Sequence, residues 1–123
     1  MEQKITKQYL RNNPYHVFVF GDNLLRIGKG GAASLRDEPN TYGFITKKKP
    51  NNKDNSFYKP DEYQEIFDIE LYALKEIIQD HSHYLFLISK LGGGLANRYN
   101  IFEKIIQPGL QELKQFNNVQ FLF

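Results

Sequence analysis

The chain has 123 residues, of which 41% are hydrophobic and 15% aromatic, so residues 1–123 can form a single domain with a substantial core. The 16 basic and 14 acidic residues give a formal net charge of +2, which does not call for a nucleic acid or an acidic membrane as partner. Cysteine is absent, which excludes disulfides, a thiolate nucleophile and thiolate metal ligands. Because we find no signal peptide and no apolar run near the roughly 18 residues of a spanning helix, we expect a soluble cytoplasmic protein.

The first half of the chain predicts two strands. Residues 2–11 suit a short helix or strand, and Pro14 marks the entry to a strand over residues 15–20 that is apolar on both faces. Residues 32–36 predict a short helix ending before Pro39, and residues 41–46 predict a second, shorter strand. The polar segment 47–59 predicts an exposed, mobile loop.

The second half predicts a long helix that begins at Pro60. Its apolar residues recur every three to four positions: Tyr63, Phe67, Leu71, Leu74 and Ile78. Residues 84–89 predict a third buried strand, residues 97–116 a helix kinked at Pro108, and residues 119–123 a last strand. Buried strands alternating with helices predict an α/β domain with a mostly parallel sheet.

Two glycine-rich loops follow two of the predicted strands. The first is Gly28-Lys29-Gly30-Gly31, shortly after the strand of residues 15–20, and the second is Gly92-Gly93-Gly94. Right-handed crossovers place both loops at the same edge of a parallel sheet, where ligands bind in open α/β sheets beside helix N-termini that favour anions. One glycine loop alone is more simply a tight turn. A pair favours a site that holds a diphosphate through backbone N–H groups.

Other candidates for chemistry are weaker. No GxxxxGK[ST] motif is present, which argues against P-loop hydrolysis of a nucleoside triphosphate. His81 and His83 lack cysteine or clustered carboxylate partners, so we predict no metal site, and His16 is expected to be structural. Asp37 and Glu38 could supply a general base, but pairing with Arg36 or a nearby lysine is the simpler expectation.

Several motifs resemble a known family. Asn23, four further residues and a glycine-rich loop are similar to the macrodomain pattern, and VFVFGDNL, GKGG, RDEPN, YGFITKK and LGGGLAN look like a short branch of macrodomain-like proteins in bacteria and their phages. The resemblance implies a single three-layer αβα domain that binds ADP-ribose.

The resemblance also implies roles for individual residues. Asp22 would accept a hydrogen bond from a base amino group or a ribose hydroxyl, and Asn23 would hold ribose hydroxyls, although an Asp-Asn pair after a strand often only forms a turn. The implied ligand-binding set is Asp22, Asn23, Arg26, Gly28, Lys29, Gly30, Gly31, Thr46, Lys47, Gly92, Gly93, Gly94 and Arg98.

Three functions remain open from the sequence. The first is a module that binds ADP-ribose or a related NAD-derived nucleotide, and that could sequester a defence signal in a phage context. The second is an ADP-ribosyl glycohydrolase or nucleotide phosphoesterase, whose catalytic residues the sequence does not identify. The third and least expected is a nucleic-acid accessory protein acting through Lys47, Lys48 and Lys49, whose binding would fall steeply with salt. We predict no cofactor, and the sequence does not define the oligomeric state.

Overall fold

A computed structural model describes residues 4–123 and contains a four-stranded sheet in the order β2-β1-β3-β4. Every neighbouring pair of strands in it is parallel. The main elements in chain order are α1 (Lys7–Asn12), β1 (His16–Asn23), β2 (Thr41–Lys47), α2 (Pro60–Asp80), β3 (Leu85–Ile88), α3 (Gln107–Leu110) and β4 (Val119–Phe121). The predicted α/β class with a mostly parallel sheet is therefore confirmed.

The central strand β1 is covered on both faces. Successive side chains of a strand point to opposite faces, so Val17 and Val19 pack into a core with α2, whereas Phe18 and Phe20 pack into a second core on the other face. Leu10 of α1 belongs to that second core. Helical segments thus lie on both sides of the sheet, which explains the continuous apolar run of β1.

Helix α2 begins at Pro60, as predicted, and its buried residues are the five apolar ones singled out by their spacing. The Tyr63 hydroxyl donates a hydrogen bond to the Ile45 carbonyl of β2 at 2.5 Å. Burial raises the pKa of Tyr63, which keeps this hydroxyl protonated as a donor. Among residues 4–123, no helix is both long and apolar enough to span a membrane.

Strand β1 is longer than predicted. The sequence suggested that it stops before Gly21, but it continues to Asn23, with Asp22 opposite Ile45 of β2 and a register irregularity between Asp22 and Asn23. Polar residues predicted to form a turn are held in the sheet by pairing with β2. The short helix predicted for residues 32–36 is a 3₁₀ turn, Gly31–Leu35.

The long helix predicted for residues 97–116 is interrupted. Asn100 has a positive φ of 63°, so it separates the 3₁₀ turn Leu95–Asn97 from the helical segment that follows. That segment has π-helical hydrogen bonding over Phe102–Ile106, then α3, then a 3₁₀ turn over Gln111–Gln115. Pro108 lacks an N–H to donate to the preceding turn, which explains why regular α-helical bonding does not continue through this region.

The segment 47–59 is only partly the exposed loop that its polarity predicts. It contains a 3₁₀ turn, Asp54–Ser56, and an antiparallel bridge joins Lys47 to Phe57. Ser56, Phe57 and Tyr58 are buried. The two aromatic side chains supply enough apolar surface to hold the end of this loop against the domain.

Candidate functional site

Both glycine loops line one cleft at the carboxyl ends of β1 and β2. The cleft has a volume of about 460 Å³. Gly28, Gly30 and Gly31 line it from the first loop, and Gly92 and Gly94 from the second. The parallel topology thus brings together two loops more than sixty positions apart in the sequence, as their placement after two parallel strands predicts.

Two different structural reasons account for glycine at these positions. Gly92 has φ +73°, and a β-carbon there would lie 2.4 Å from Ile106 Cδ1, so the position requires glycine for backbone conformation and packing. A β-carbon at Gly30 or Gly94 would instead meet no atom within 4 Å. These two glycines therefore border open space that a ligand can occupy.

Four backbone N–H groups of the glycine loops have no hydrogen-bond acceptor among the described residues. Among the hydrogen bonds of residues 4–123, none is donated by the N–H of Gly28, Gly30, Gly92 or Gly94. The helical turns that follow the loops, Gly31–Leu35 and Leu95–Asn97, are short 3₁₀ turns. The dipole of a long helix is therefore absent, contrary to the expectation from the sequence, and anion binding here would depend on individual N–H groups.

Two lysines add positive charge to the cleft. Lys47 Nζ donates to the Asn51 carbonyl at 3.0 Å, and burial lowers the pKa of Lys47 from its ordinary value. Lys90, which the sequence analysis did not select, also lines the cleft, with Nζ 5.2 Å from the ring centroid of Phe102. Within the described residues, neither lysine has a carboxylate within salt-bridge distance.

The single acidic residue among those lining the cleft, Asp22, is already neutralised by Arg36. The guanidinium donates to Asp22 Oδ1 at 2.6 Å and to Oδ2 at 2.9 Å. It also donates to the carbonyls of Gly28 at 2.8 Å and Ile27 at 3.2 Å, and it lies over the Phe20 ring. Oδ1 also accepts from the Asn23 N–H at 2.8 Å, so the carboxylate is engaged within the protein, and a hydrogen bond from a ligand to Asp22 stays a prediction. In this arrangement Asp22 holds Arg36, which braces the first glycine loop.

Asn23 and Thr46 are buried at the floor of the cleft. The Asn23 side chain donates to the Ile27 carbonyl at 2.8 Å and accepts from the Leu25 N–H at 3.1 Å, so it forms the turn that was the alternative to holding ribose. The Thr46 hydroxyl donates to the Asp22 carbonyl at 3.3 Å. Both residues shape the cleft, and Thr46 has its predicted location.

Four predicted residues do not line the cleft. Arg26, which has φ +53°, donates from its guanidinium to the Gly43 carbonyl of β2 at 3.2 Å, and its Nη1 lies 3.6 Å from Asp22 Oδ2. Lys29 forms an exposed ion pair with Asp37 at 2.5 Å. The remaining two are Gly93, whose N–H donates to the Lys90 carbonyl, and Arg98, which lies over Phe57 and pairs with Asp54. Partners outside the glycine loops hold these groups, and a position next to a glycine in the sequence gave no sign of those partners.

The residues missed by sequence reasoning are Lys90, Arg36 and an apolar rim. Ile27 and Leu95 line the cleft although they are 53% and 73% exposed. Each directly adjoins a glycine loop in the sequence, and that position was the available signal. For Arg36 only its charge pointed to a role, because the neighbouring sequence does not show whether Asp22 or Asp37 is its partner.

The other polar candidates lie elsewhere. Glu38 pairs with Arg11 at 3.0 Å, and Asp37 pairs with a lysine as the simpler expectation predicted. His16 Nδ1 lies 2.7 Å from the Tyr9 hydroxyl, consistent with a structural role. No group of three or more His, Cys, Asp or Glu side chains suited to a metal ion occurs in the part of the chain that the structure describes.

Comparison with known proteins gives one family. Residues 1–98 match the family of unknown function DUF7831, and this range contains β1, β2, α2, β3 and both glycine loops. No curated protein and no solved structure matches the chain. Since the match covers well over half of the sequence, the chain belongs to the family of unknown function DUF7831.

Proposed function

We propose that this protein binds a nucleotide of the ADP-ribose type, with its phosphates in the cleft between the two glycine loops. The observation that carries the proposal is the meeting of these loops around open space at Gly30 and Gly94, beside two lysines that have no acidic partner in the described part of the chain. Free backbone N–H groups and lysine ammonium groups are the donors that phosphate oxygens accept from. The volume of about 460 Å³ falls within the range of small-molecule sites.

The cleft also suits the uncharged part of a nucleotide. Ile27 and Leu95 are large, exposed and adjacent to the glycines, so they can pack against a sugar or base. The choice of ADP-ribose over other phosphorylated ligands rests on the resemblance of GKGG and LGGGLAN to macrodomain-like proteins.

Binding is favoured over catalysis because the cleft offers no free general base among the described residues. Asp22 is the acidic residue that lines it, and both of its oxygens are bonded to Arg36. Hydrolysis would therefore depend on a water positioned by the substrate itself. The nucleic-acid alternative is weakened because Lys47 is part of the cleft and Lys48 is paired with Glu62 at 2.8 Å.

Calorimetric titration with ADP-ribose, with AMP and orthophosphate as shorter probes, tests the proposal. Gly30→Val is the decisive variant, because Gly30 has extended dihedrals (φ −85°, ψ 150°) that valine tolerates and its β-carbon would enter open space. We expect at least about a tenfold loss of ADP-ribose affinity without loss of folding.

Two lysine variants provide a matched comparison. Lys90→Ala removes a cleft cation and should weaken binding about tenfold, whereas Lys29→Ala removes an exposed cation outside the cleft and should leave affinity unchanged. Absence of saturable binding to the wild-type protein, or equal affinity in Gly30→Val, would contradict the proposal. Release of ADP-ribose from an ADP-ribosylated protein incubated with the chain would instead identify a hydrolase.

A further inference from the structure

A second cavity lies at the opposite end of the sheet from the glycine loops. It has a volume of about 560 Å³ and is formed where the beginnings of the strands meet the end of α1 and the end of α2. The cavity is open to solvent, and its volume is within the range of sites that hold small organic molecules. The cavity shares no lining residue with the cleft.

The walls of the cavity are largely apolar and aromatic. Its lining includes Val17, Tyr42, Ile77, Tyr84 and Phe86. Tyr84 belongs to an aromatic group that includes His81, with ring centroids 5.5 Å apart. Aromatic rings inserted among such side chains gain both buried apolar area and tilted ring contacts.

The charges that line the cavity neutralise each other. Glu38 is 8% exposed and accepts from Arg11 Nε at 3.0 Å and from its Nη2 at 3.4 Å. The Asn40 amide donates to the carbonyls of Leu10, Asn13 and His16. In contrast to the cleft, the lining residues of this cavity include no lysine, and their one arginine is paired with Glu38.

His81 supplies one hydrogen-bond acceptor. Its Nδ1 lies 2.9 Å from the Ile77 carbonyl oxygen, and because a carbonyl only accepts, Nδ1 must carry the proton. The His81 ring is exposed, and Nε2, the acceptor of the tautomer in which Nδ1 carries the proton, has no hydrogen-bond partner among residues 4–123.

From these observations we propose that the cavity is a second ligand site, which binds an uncharged planar aromatic molecule carrying one O–H or N–H donor. The ring system lies between the apolar walls, and its donor bonds to His81 Nε2. This chemistry is that of phenols and indoles. The site is independent of nucleotide binding in the cleft.

Two probes that differ only in the donor test the proposal. The wild-type protein is titrated with 2-naphthol and with 2-methoxynaphthalene, followed by ligand fluorescence. We expect saturable binding of 2-naphthol at one site per chain and about tenfold weaker binding of the methyl ether, which cannot donate.

Variants locate the bound probe. His81→Phe keeps an aromatic ring without the acceptor, so it should weaken 2-naphthol binding about tenfold and leave the methyl ether unchanged. The matched control is His83→Phe, an exposed ring two positions away that does not line the cavity. Ile77→Trp fills the cavity and should abolish binding of both probes.

Backbone NMR chemical shifts of the wild-type protein locate the bound probe even if the variants fail to fold. Shifts at Tyr84 and Phe86 on addition of 2-naphthol support the site. No saturable binding, shifts confined to the glycine loops, or displacement of 2-naphthol by ADP-ribose would overturn it. Equal affinity for the two probes would overturn the role of His81.

Discussion

The ion pair between Asp22 and Arg36 is the interaction whose loss should cost the most at the cleft. The side chains of Asp22 and Arg36 are only 2% and 17% exposed, so water cannot readily replace either partner. Asp22→Asn removes the charge and converts one of the two accepting oxygens into an amide group that cannot accept. Hydrogen bonds to charged groups contribute about 1.5–3 kcal/mol, and breaking a buried pair about 3–5 kcal/mol, so we expect a loss of about 2–3 kcal/mol.

This loss is measurable as a shift in Tm. An unfolding entropy of about 2.1 cal/mol/K per residue corresponds to about 0.26 kcal/mol/K for this chain, so Asp22→Asn should lower Tm by about 10 °C. Urea denaturation should give the same loss of free energy with an unchanged m value. The loop from Ile27 to Gly28 should also exchange its amide hydrogens faster, because Arg36 bonds to both carbonyls.

Asp37→Asn is the matched control, since it breaks an exposed pair with Lys29 whose side chains are 64% and 66% exposed. That variant should leave the stability close to that of the wild-type protein, because exposed pairs are screened by solvent. Equal losses in Asp22→Asn and Asp37→Asn, or a cost below about 0.5 kcal/mol at Asp22, would refute the assignment of Arg36 as the brace of the first loop.

Three further predictions concern single side chains. Tyr63→Phe should lower the free energy of unfolding by about 1–3 kcal/mol, because it leaves a buried carbonyl of β2 without its donor. Tyr58→Phe should be neutral or stabilising, because the buried Tyr58 hydroxyl has no partner within the described chain. Denaturant titration compares the two variants. As the pH is raised, Lys47 should lose its proton before the pH reaches 10.5, the ordinary pKa of lysine, and the affinity for an anion should fall. Lys47→Arg should remove this alkaline loss of affinity, because arginine stays charged. A hydrogen bond from Lys48 lowers the pKa of Glu62 below its ordinary value of 4.5. The pair therefore stabilises the fold above pH 4.5, and this contribution is lost as the pH falls through the lowered pKa. Glu62→Gln should reduce the dependence of Tm on pH in that acid range.

Each of these has an outcome that would contradict it. Equal stability of Tyr58→Phe and Tyr63→Phe would mean that the hydrogen bond to β2 contributes nothing. An alkaline loss of affinity that persists in Lys47→Arg would assign the titration to another group. If Tm depended on pH in the same way in Glu62→Gln and in the wild-type protein, the pair of Glu62 with Lys48 would contribute nothing to stability in the acid range.

Much of the fold could be predicted because its signals are local. The apolar run of residues 15–20, the helical spacing after Pro60 and the glycines following two strands all describe how a short segment partitions between water and a core. Those features are sufficient for an α/β domain with both glycine loops at one edge of the sheet. The interrupted segment after Asn100 was not predicted, since a left-handed asparagine and π-helical bonding have no clear local pattern.

The composition of the candidate site depended on partners distant in sequence. Proximity to a glycine selected Arg26, Lys29 and Arg98, but each of these long side chains reaches a carbonyl or carboxylate outside the cleft. Lys90 and Arg36 were missed, although one lines the cleft and the other braces its first loop.

The sequence by itself determined which segments become buried strands and where the chain must turn tightly, because hydrophobic periodicity and the freedom of glycine act over a few residues. Only the tertiary structure decided which charges remain available to a ligand. The β1–β2 pairing carries Asp22 into the sheet, where Arg36 neutralises it, while Lys47 and Lys90 line the cleft with no carboxylate of residues 4–123 within salt-bridge distance. Charges interact through space, so their pairing follows from the folded geometry and not from their order along the chain.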